Sequence, residues 1–263
     1  MKKNLQGRTA LVTGASSGLG IDFANELAAR GADLVIVARR EDRLRDVADD
    51  IAERHGVNVH AESMDVGDAN AADRLKARLD EQGITIDLLV NNAGFGLHGH
   101  FLEIEPESEE AMLDLDIQSL TRMTRLFAQG MKERGWGRIL QVSSIGAYQP
   151  SPTYAAYGAA KSYVLMYSHA LNCELRGSGV SSTVISPGIT RTEFLEVAGQ
   201  SPTLYQRVMM MESEEVARIG IRAMLRRRAE VVPGWGNAIT AFFTRLMPRT
   251  WTAAMTYRLM GGA

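Results

Sequence analysis

The stretch Thr13-Gly14-Ala15-Ser16-Ser17-Gly18-Leu19-Gly20 joins the apolar run Thr9–Thr13 to a run rich in Ala, Leu and Glu at 21–30. The first run is typical of a buried strand and the second of a helix. Glycines between them allow a tight turn and a close approach to a pyrophosphate at the helix N-terminus. We therefore predict a dinucleotide-binding loop, with a plain tight turn as the alternative. Its predicted contact residues are Gly14, Ser16, Ser17, Gly18, Leu19 and Gly20.

Outside this loop, strand and helix patterns alternate along the chain. Further strands are predicted at 34–38, 57–61, 86–90, 138–142, 180–185 and 230–232, and further helices at 41–55, 68–82, 106–134, 153–176 and 213–227. Alternating strands and helices form a parallel sheet with right-handed crossovers and helices on both faces. The predicted fold is α/β, a Rossmann-like doubly wound sheet of seven parallel strands, in a single domain over residues 1–263.

Composition excludes several classes of protein. The 263 residues are 45% hydrophobic and 23% charged, with a net charge of −2, so no nucleic-acid partner is expected. The single cysteine, Cys173, excludes an internal disulfide, and the only close histidine pair, His98 and His100, has no third ligand nearby, so no metal site is predicted. The chain has neither a long apolar run nor a signal-peptide pattern, which predicts a cytoplasmic protein.

The end of the second predicted strand indicates which dinucleotide is bound. An acidic residue there would bind a ribose 2′-hydroxyl and repel a 2′-phosphate. This chain has Ala38 followed by Arg39 and Arg40. Because a guanidinium binds phosphate in a bidentate manner, we predict NADP(H), with Arg39 as the first candidate and Arg40 as the second. The alternative is that both arginines are simply solvated.

Tyr157 and Lys161 are four residues apart and therefore share one face of the predicted helix 153–176. A nearby ammonium lowers the pKa of a phenol, so Tyr157 is a candidate general acid/base for a carbonyl or an alcohol. The chain has 24 arginines but five lysines, and Lys161 is the only lysine after residue 132, which favours a specific role. The nearby tyrosines without a lysine four residues later are interpreted as packing or wall residues: Tyr154, Tyr163 and Tyr167.

Five motifs, in order and at their spacings, resemble those of the short-chain dehydrogenase/reductase family. They lie within about residues 7–195 and are the loop 13–20, Asn91-Asn92-Ala93-Gly94, Ser144, Tyr157 with Lys161, and Pro187-Gly188. The resemblance implies that Tyr157 is the general acid/base and that Lys161 lowers its pKa and holds the nicotinamide ribose. Ser144 is implied to bind the substrate oxygen, while Ser143 is expected to be structural.

The resemblance also implies cofactor contacts at other strand ends. Asn91 is expected to support the sheet and contact the cofactor, and Asp65 with Val66 to meet the adenine ring. The remaining implied contacts are Ala93, Gly94, Pro187, Gly188, Ile189 and Thr192. The same family resemblance implies a homodimer or homotetramer, joined through the helices near 106–134 and 153–176.

Asp116 departs from the family pattern, which has an asparagine at this place. In the family, the backbone carbonyl of that residue binds a water in a proton relay through the lysine, and a change to Asp leaves this carbonyl in place. A carboxylate near Lys161 would favour the charged lysine and is costly if buried unpaired. We predict an active enzyme with Asp116 among the catalytic residues and an altered pH profile. The alternative is a catalytically inactive dinucleotide-sensing or scaffold protein.

The family's variable substrate loop corresponds to residues 191–213 of this chain. The loop is apolar in part, which favours an apolar small-molecule ketone, aldehyde or secondary alcohol as substrate. A helix that packs its own apolar face is the alternative. The residues predicted to line the substrate cleft are the loop segment 193–197, Tyr205, Met209, Met210 and Met211, together with Phe95, Leu97, Tyr148 and Pro150.

Residues 234–263 form an extension with helical apolar spacing. Its apolar residues are Ile239, Phe242, Phe243, Leu246 and Met247, then Trp251, Met255 and Leu259, with Arg245, Arg249 and Arg258 nearby. The extension could lie on an anionic membrane, cap the substrate pocket, or pack in the core or against a second subunit. Packing in the core or against a second subunit is the preferred interpretation. Peripheral membrane contact is not favoured.

Overall fold

The computed structural model describes residues 4–200 and 210–259. Its strands are β1 (Thr9–Thr13), β2 (Asp33–Ala38), β3 (Val59–Ser63), β4 (Leu88–Asn91), β5 (Gly137–Val142), β6 (Val180–Ile185), β7 (Thr190–Arg191), β8 (Met211–Glu212) and β9 (Glu230–Val231). Its α-helices are α1 (Gly18–Ala28), α2 (Glu41–His55), α3 (Ala71–Glu81), α4 (Pro106–Leu113), α5 (Leu120–Glu133), α6 (Ala155–Glu174), α7 (Phe194–Val197), α8 (Ser213–Leu225), α9 (Trp235–Thr244) and α10 (Arg249–Leu259).

As predicted, seven of the strands form one parallel sheet, and the structure shows their order to be β3-β2-β1-β4-β5-β6-β9. The chain runs outward from β1 to β3 and then returns to place β4 on the other side of β1. The carboxyl ends of β1 and β4 therefore border a topological switch point, where sheets of this kind bind ligands. The short parallel pair β7–β8 was not predicted, because two residues are too few to show a strand pattern.

The sheet is covered on both faces by helices. Neighbouring residues of β1 point to opposite sides, so that Val12 packs in one hydrophobic layer and Leu11 in the other. Phe23 and Leu27 of α1 belong to the first layer, to which α2 and α8 also contribute. Phe127 of α5 belongs to the second, which it shares with α3. The doubly wound arrangement follows from these two apolar layers.

The long helix predicted over 106–134 is interrupted. A π-helical segment, Asp114–Ser119, separates α4 from α5. It leaves Asp114 exposed and buries Asp116 completely. Nothing in the sequence of the segment breaks a helical pattern, because it contains neither proline nor glycine. Such π-helical turns occur frequently at functional sites.

No helix within residues 4–200 and 210–259 is both long enough and apolar enough to cross a membrane.

Candidate active site

A cavity of about 740 Å³ opens at the carboxyl ends of the parallel strands. It runs from the turn after β1 and the end of β2, past the loops after β4, β5 and β6, to α9 and α10. Most residues predicted for the site line this one cleft: Gly14, Ser16, Ser17, Gly18, Leu19, Arg39, Arg40, Asp65, Val66, Ala93, Gly94, Ser144, Tyr157, Lys161, Pro187, Gly188, Ile189 and Thr192.

Gly20 and Asn91, which were also predicted to contact the cofactor, do not line the cleft. A Cβ atom at Gly20 would lie 2.1 Å from the carbonyl oxygen of Gly14, so this glycine lets α1 pack against the turn. The Asn91 amide donates to Thr124 Oγ1 at 2.8 Å and to Gln141 Oε1 at 2.9 Å. It therefore supports the sheet, as predicted, by joining β4 to α5 and β5.

Asn92, which sequence reasoning did not single out as a site residue, lines the cleft in place of Asn91. Its Nδ2 donates to the carbonyl oxygens of Thr13 at 3.0 Å and Gly14 at 3.3 Å. The Thr13 hydroxyl in turn accepts from the backbone N–H groups of Asn92 at 3.1 Å and Ala93 at 3.0 Å. These bonds hold the loop after β4 against the glycine-rich turn.

The glycines of the turn allow neighbouring loops to approach closely. Gly14 has φ +69°, and a Cβ there would lie 2.9 Å from Ala93 Cα. Gly18 has φ +50°, and its Cβ would lie 3.0 Å from the Thr192 side chain. Both positions therefore favour glycine, because their φ angles are positive and a side chain there would meet neighbouring atoms. The loop after β6, which carries Thr192, reaches the phosphate-binding turn in this way.

The two predicted arginines lie at the edge of the cleft in different surroundings. Arg39 is largely exposed, with Nη1 3.5 Å from Asp65 Oδ2. Arg40 donates from Nη2 to Ser16 Oγ of the glycine-rich turn at 3.3 Å. Its Nη1 lies 3.6 Å from Glu193 Oε2.

A third arginine, Arg43 of α2, binds the same carboxylate. Its Nη2 donates to Glu193 Oε1 at 2.7 Å and its Nη1 donates to Oε2 at 3.4 Å. The hydrogen bond from Arg43 lowers the pKa of Glu193, and the charge of Arg40 lowers it further. Glu193 thus joins the substrate loop to α2 across the cofactor end of the cleft. The sequence carries no local signal for this contact, because the partners are 150 residues apart.

Ser143 and Ser144 have different roles, as predicted. Ser143 is buried, and its hydroxyl donates to the backbone oxygen of Lys161 at 2.7 Å. Ser144 lines the cleft, and its Oγ accepts from the Gly146 backbone N–H at 3.1 Å. Tyr157 lines the same part of the cleft, and the Ser144 side chain acts to lower its pKa. Ser144 and Tyr157 can therefore both reach one substrate oxygen in the cleft.

Asp116 lies behind the cleft and forms an ion pair with Lys161. The Lys161 Nζ is 3.0 Å from Asp116 Oδ2, although no well-aligned hydrogen bond from the described residues reaches this oxygen. The attraction is therefore mainly electrostatic. The other oxygen, Oδ1, accepts from the Phe95 backbone N–H at 3.3 Å. Burial raises the pKa of Asp116, while the charge of Lys161 and the N–H of Phe95 oppose this shift.

The pKa of Tyr157 is raised, which contradicts the expectation that Lys161 lowers it. Burial of the hydroxyl is the main cause and the negative charge of Asp116 adds to it, while the hydrogen bond with Ser144 opposes the shift. The Lys161 Nζ lies 5.6 Å from the centre of the Tyr157 ring. Its charge is balanced by Asp116 at shorter range, so it provides little net stabilisation of a phenolate.

The substrate end of the cleft is formed by aromatic and aliphatic side chains. The Tyr157 ring lies 5.4 Å from the ring of Phe194 and 5.9 Å from that of Tyr154. Tyr154 thus belongs to the wall, in agreement with its predicted role. The other apolar lining residues here are Phe95, Leu195, Val197, Ile239, Phe243, Met247 and Met255.

Several residues predicted for the substrate end lie elsewhere. Leu97, Tyr148 and Pro150 do not line the cleft, and the Tyr148 hydroxyl donates to Glu230 Oε1 at 2.6 Å. Met210 and Met211 do not line it either, because β8 carries Met211 against the core. Loop length and chain direction decide these positions, and neither is visible in a local pattern. Tyr205 and Met209 lie outside the described residues.

The histidine pair lies beside the cleft in aromatic surroundings. The His98 ring is 5.1 Å from the Tyr154 ring, and the His100 ring is 6.4 Å from the Tyr257 ring. Within the part of the chain that the structure describes, no three His, Cys, Asp or Glu side chains are grouped closely enough to hold a metal ion.

The C-terminal extension caps the substrate end of the cleft, which was one of its three predicted roles. Ile239 and Phe243 of α9 and Met255 of α10 line the cleft and remain about half exposed. Burial in the core, part of the preferred interpretation, is wrong for the other large apolar side chains described here. Trp235, Phe242, Leu246 and Trp251 are all exposed, and the Leu259 side chain lies outside the described part of the structure.

Comparison with known proteins identifies the family. A sequence model described as short chain dehydrogenase matches residues 8–202. The protein belongs to the short-chain dehydrogenase/reductase family. Among relatives in this family, sulfoacetaldehyde reductase 2 of Chromohalobacter salexigens is 32% identical over 216 residues, which is 80% of this chain and 85% of that protein.

Solved structures of the short-chain dehydrogenase/reductase family share the fold. A short-chain dehydrogenase from Sphingobium yanoikuyae in complex with NADPH is 33% identical, with a TM-score of 0.81 over 91% of this chain and 95% of that chain. A 7β-hydroxysteroid dehydrogenase structure has a TM-score of 0.86 over 99% of this chain and 100% of that one. At 24% identity, this second likeness concerns the fold alone, and it extends through the C-terminal helices.

Proposed function

We propose that this protein is an NADP(H)-dependent oxidoreductase that interconverts a ketone or aldehyde with an alcohol on an apolar small molecule. The observation that carries the proposal is the meeting of Ser144, Tyr157 and Lys161 in one cleft. That cleft joins a glycine-rich turn at one end to an apolar wall at the other. We place this activity in one domain with Tyr157 as the general acid/base.

The cofactor end of the cleft fits a dinucleotide. Side chains at Gly14 and Gly18 would fill the space between the turn and its neighbouring loops. The turn would hold the pyrophosphate, Arg39 and Arg40 a 2′-phosphate, and Asp65 with Val66 the adenine. The nicotinamide end would be held by Ala93, Gly94, Tyr157, Lys161, Pro187, Gly188, Ile189 and Thr192. The NADPH bound by the Sphingobium relative supports the choice of NADP(H).

When bound, NADPH supplies the hydride that reduces the substrate carbon. Tyr157 supplies the proton to the carbonyl oxygen, and its raised pKa keeps the phenol protonated at neutral pH. Ser144 donates a hydrogen bond to the same oxygen and stabilises the negative charge that develops there. The hydride and the proton together convert a carbonyl into an alcohol.

The positions of the charged side chains in the cleft favour an apolar substrate. The charged lining residues among those described are Arg39, Arg40, Asp65, Lys161 and Glu193, all at the cofactor or catalytic part. The Chromohalobacter relative is named for sulfoacetaldehyde, whose sulfo group would require a cation at the substrate end. The wall here instead contains Phe95, Phe194 and Phe243. We therefore assign a larger and less polar ketone or aldehyde.

The alternative, an inactive dinucleotide-sensing or scaffold protein on the same fold, is not favoured. It rested on Asp116, but Asp116 pairs with Lys161 and does not block the cleft. Ser144 and Tyr157 both line the open cleft. Nothing in this geometry prevents proton transfer from Tyr157.

Members of the family commonly form oligomers, and we propose a homodimer or homotetramer that uses α5 and α6. Met166 of α6 is 63% exposed, and Tyr163 of the same helix is also exposed. The Tyr163 hydroxyl lies 3.1 Å from Thr121 Oγ1 of α5, so the two helices present one continuous surface. Exposed apolar side chains on adjacent helices are typical of such contacts.

Turnover of NADPH with a panel of ketones and aldehydes of increasing size and polarity tests the proposal. Tyr157→Phe should lower turnover by at least about a hundredfold while NADPH binding remains, since proton transfer alone contributes this much. Tyr163→Phe is the matched control and should retain activity, because its hydroxyl is exposed and faces α5. Binding of NADPH without turnover of any panel member, by either the wild type or Asp116→Asn, would favour the inactive alternative.

A further inference from the structure

The outer side of α9 presents apolar side chains to solvent. Trp235 is 83% exposed, and Phe242 lies seven residues later on the same helical face. Leu246, just after the helix, is also exposed. Asn237 and Ala241 lie on the opposite face and are buried against the body of the protein. The exposed residues therefore form a stripe that the described chain does not cover.

Helix α10 also presents apolar side chains to solvent. Trp251 is 65% exposed, and Met255 and Arg258 follow at four and seven residues, on the same face. Thr252 and Thr256 lie on the other face and are buried beside the cleft. We call the exposed residues of both helices the C-terminal surface; they are Trp235, Phe242, Leu246, Arg249, Trp251 and Arg258.

The charge of this part of the chain is entirely positive. After Glu230 the sequence contains Arg245, Arg249 and Arg258 and no Asp, Glu or Lys. Arg245 is held by Glu230, with Nη2 3.2 Å from Oε1. Arg249 and Arg258 are exposed, and neither forms an ion pair with any acidic side chain in the described ranges 4–200 and 210–259. The C-terminal surface thus combines two exposed tryptophans with two unpaired cations.

We propose that the C-terminal surface docks on an anionic lipid bilayer. Tryptophan is favoured at the boundary between headgroups and acyl chains, and arginines beside it attract anionic lipid. The helices lie on the bilayer and do not enter its core, because each is too short to cross it. The binding is peripheral, with the apolar stripe of α9 inserted shallowly and Arg249 and Arg258 at the phosphates.

A second copy of the chain fits this surface less well. A two-fold contact would place the surface against itself, so that both copies would bring Arg249 and Arg258, and no acidic side chain of this surface, to one interface. Since no Asp or Glu follows Glu230, the C-terminal region itself has no acidic side chain to pair with them. Like charges enclosed in such an interface are destabilising. An anionic bilayer supplies the missing negative charge.

Co-sedimentation of the full chain with lipid vesicles tests the proposal. The wild type should bind phosphatidylglycerol-containing vesicles and not pure phosphatidylcholine vesicles, and added salt should weaken the binding. Arg249→Gln and Arg258→Gln should each weaken it by about fivefold, from about 1 kcal/mol per arginine at an anionic surface. Trp235→Ala combined with Trp251→Ala should abolish it. None of these side chains lines the cleft, so NADPH binding should persist and report folding.

Two variants from other surfaces are the matched controls. Arg54→Gln removes an exposed arginine of α2, and Met166→Ala removes an exposed apolar side chain of α6. Both should bind vesicles as the wild type does. Equal binding to anionic and neutral vesicles, or no binding to either, would overturn the proposal. A tryptophan double variant that dissociates into smaller species in sedimentation equilibrium, without any change in vesicle binding, would instead assign the surface to a second copy.

Discussion

Lys161 Nζ lies 3.0 Å from Asp116 Oδ2, and the two side chains are 6% and 0% exposed. The pair forms where the π-helical segment turns Asp116 toward the helix that carries Tyr157 and Lys161. A buried lysine next to a buried carboxylate is electrically neutral as a pair. The carboxylate of this pair nevertheless places a negative charge close to Tyr157, at a position where other family members are expected to have a neutral amide.

Replacement of Asp116 by Asn should shift the pH dependence of catalysis. The negative charge of Asp116 raises the pKa of Tyr157, so its removal should lower that pKa, and Lys161 should then favour the phenolate. Reduction requires the protonated phenol, so the loss of rate at alkaline pH should begin at a lower pH in this variant than in the wild type. The dependence of kcat/KM for ketone reduction on pH shows directly where this alkaline loss of rate begins.

Asp114→Asn is the control for this shift. Asp114 lies in the same π-helical segment but is exposed, so its charge is screened by solvent. Its profile should match that of the wild type. If the rate of Asp116→Asn began to fall at the same alkaline pH as that of the wild type, the Asp116 carboxylate would not influence the proton donor Tyr157.

Gly94→Ala should separate the ion pair without changing either charged residue. A Cβ atom at Gly94 would lie 2.4 Å from Asp116 Oδ1 and 3.1 Å from Lys161 Nζ. The displaced carboxylate would leave a buried lysine unpaired, which typically costs about 3 kcal/mol. The free energy of unfolding, measured in urea by tryptophan fluorescence, should fall by that amount. Gly99→Ala is the control, because a Cβ there would meet only the flexible Ile104 side chain, and its free energy of unfolding should fall far less. Equal losses of stability in the two variants would refute the role of the ion pair.

Loss of either arginine at the end of β2 should change cofactor preference. Arg39→Gln and Arg40→Gln should each raise the Kd for NADPH by about tenfold and leave the Kd for NADH unchanged, since only NADPH carries the 2′-phosphate. Fluorescence titration with both cofactors measures this difference. Arg45→Gln is the control, because Arg45 pairs with Glu41 on the exposed side of α2. Equal weakening of NADPH and NADH would exclude 2′-phosphate recognition by these residues.

Glu193→Gln should strengthen NADPH binding. The carboxylate of Glu193 occupies Arg40 and Arg43 at the cofactor end of the cleft, where its charge would oppose a 2′-phosphate. Because an exposed ion pair contributes little stability, removing this charge should lower the Kd for NADPH by about threefold and leave NADH unaffected. Isothermal titration at low salt measures both constants.

Glu196→Gln removes an exposed charge from the same loop and should change neither constant. Weaker NADPH binding by Glu193→Gln would reverse the interpretation. It would show that the contact with Arg43 helps the loop to close over the cofactor more than the charge opposes it.

The sequence alone determined the fold and the identity of the main site residues. Apolar runs bounded by glycine and helical apolar spacing reflect which side of each element is buried, and this is a local property. Ser144, Tyr157 and Lys161 were recognisable from type and spacing, and all three line the cleft. The seven parallel strands were also predicted, because strands that alternate with helices along the chain pair in parallel, whereas their order was shown by the structure.

The tertiary structure decided which distant residues meet. The π-helical segment, the Asp116–Lys161 pair and the contact of Arg43 with Glu193 join parts of the chain that no local pattern connects. The direction of the pKa shift of Tyr157 was decided in the same way. A lysine four residues along the helix predicts a lower pKa, but burial and a carboxylate from another helix outweigh it. Electrostatic effects depend on distance and burial in three dimensions, which spacing along the chain does not contain.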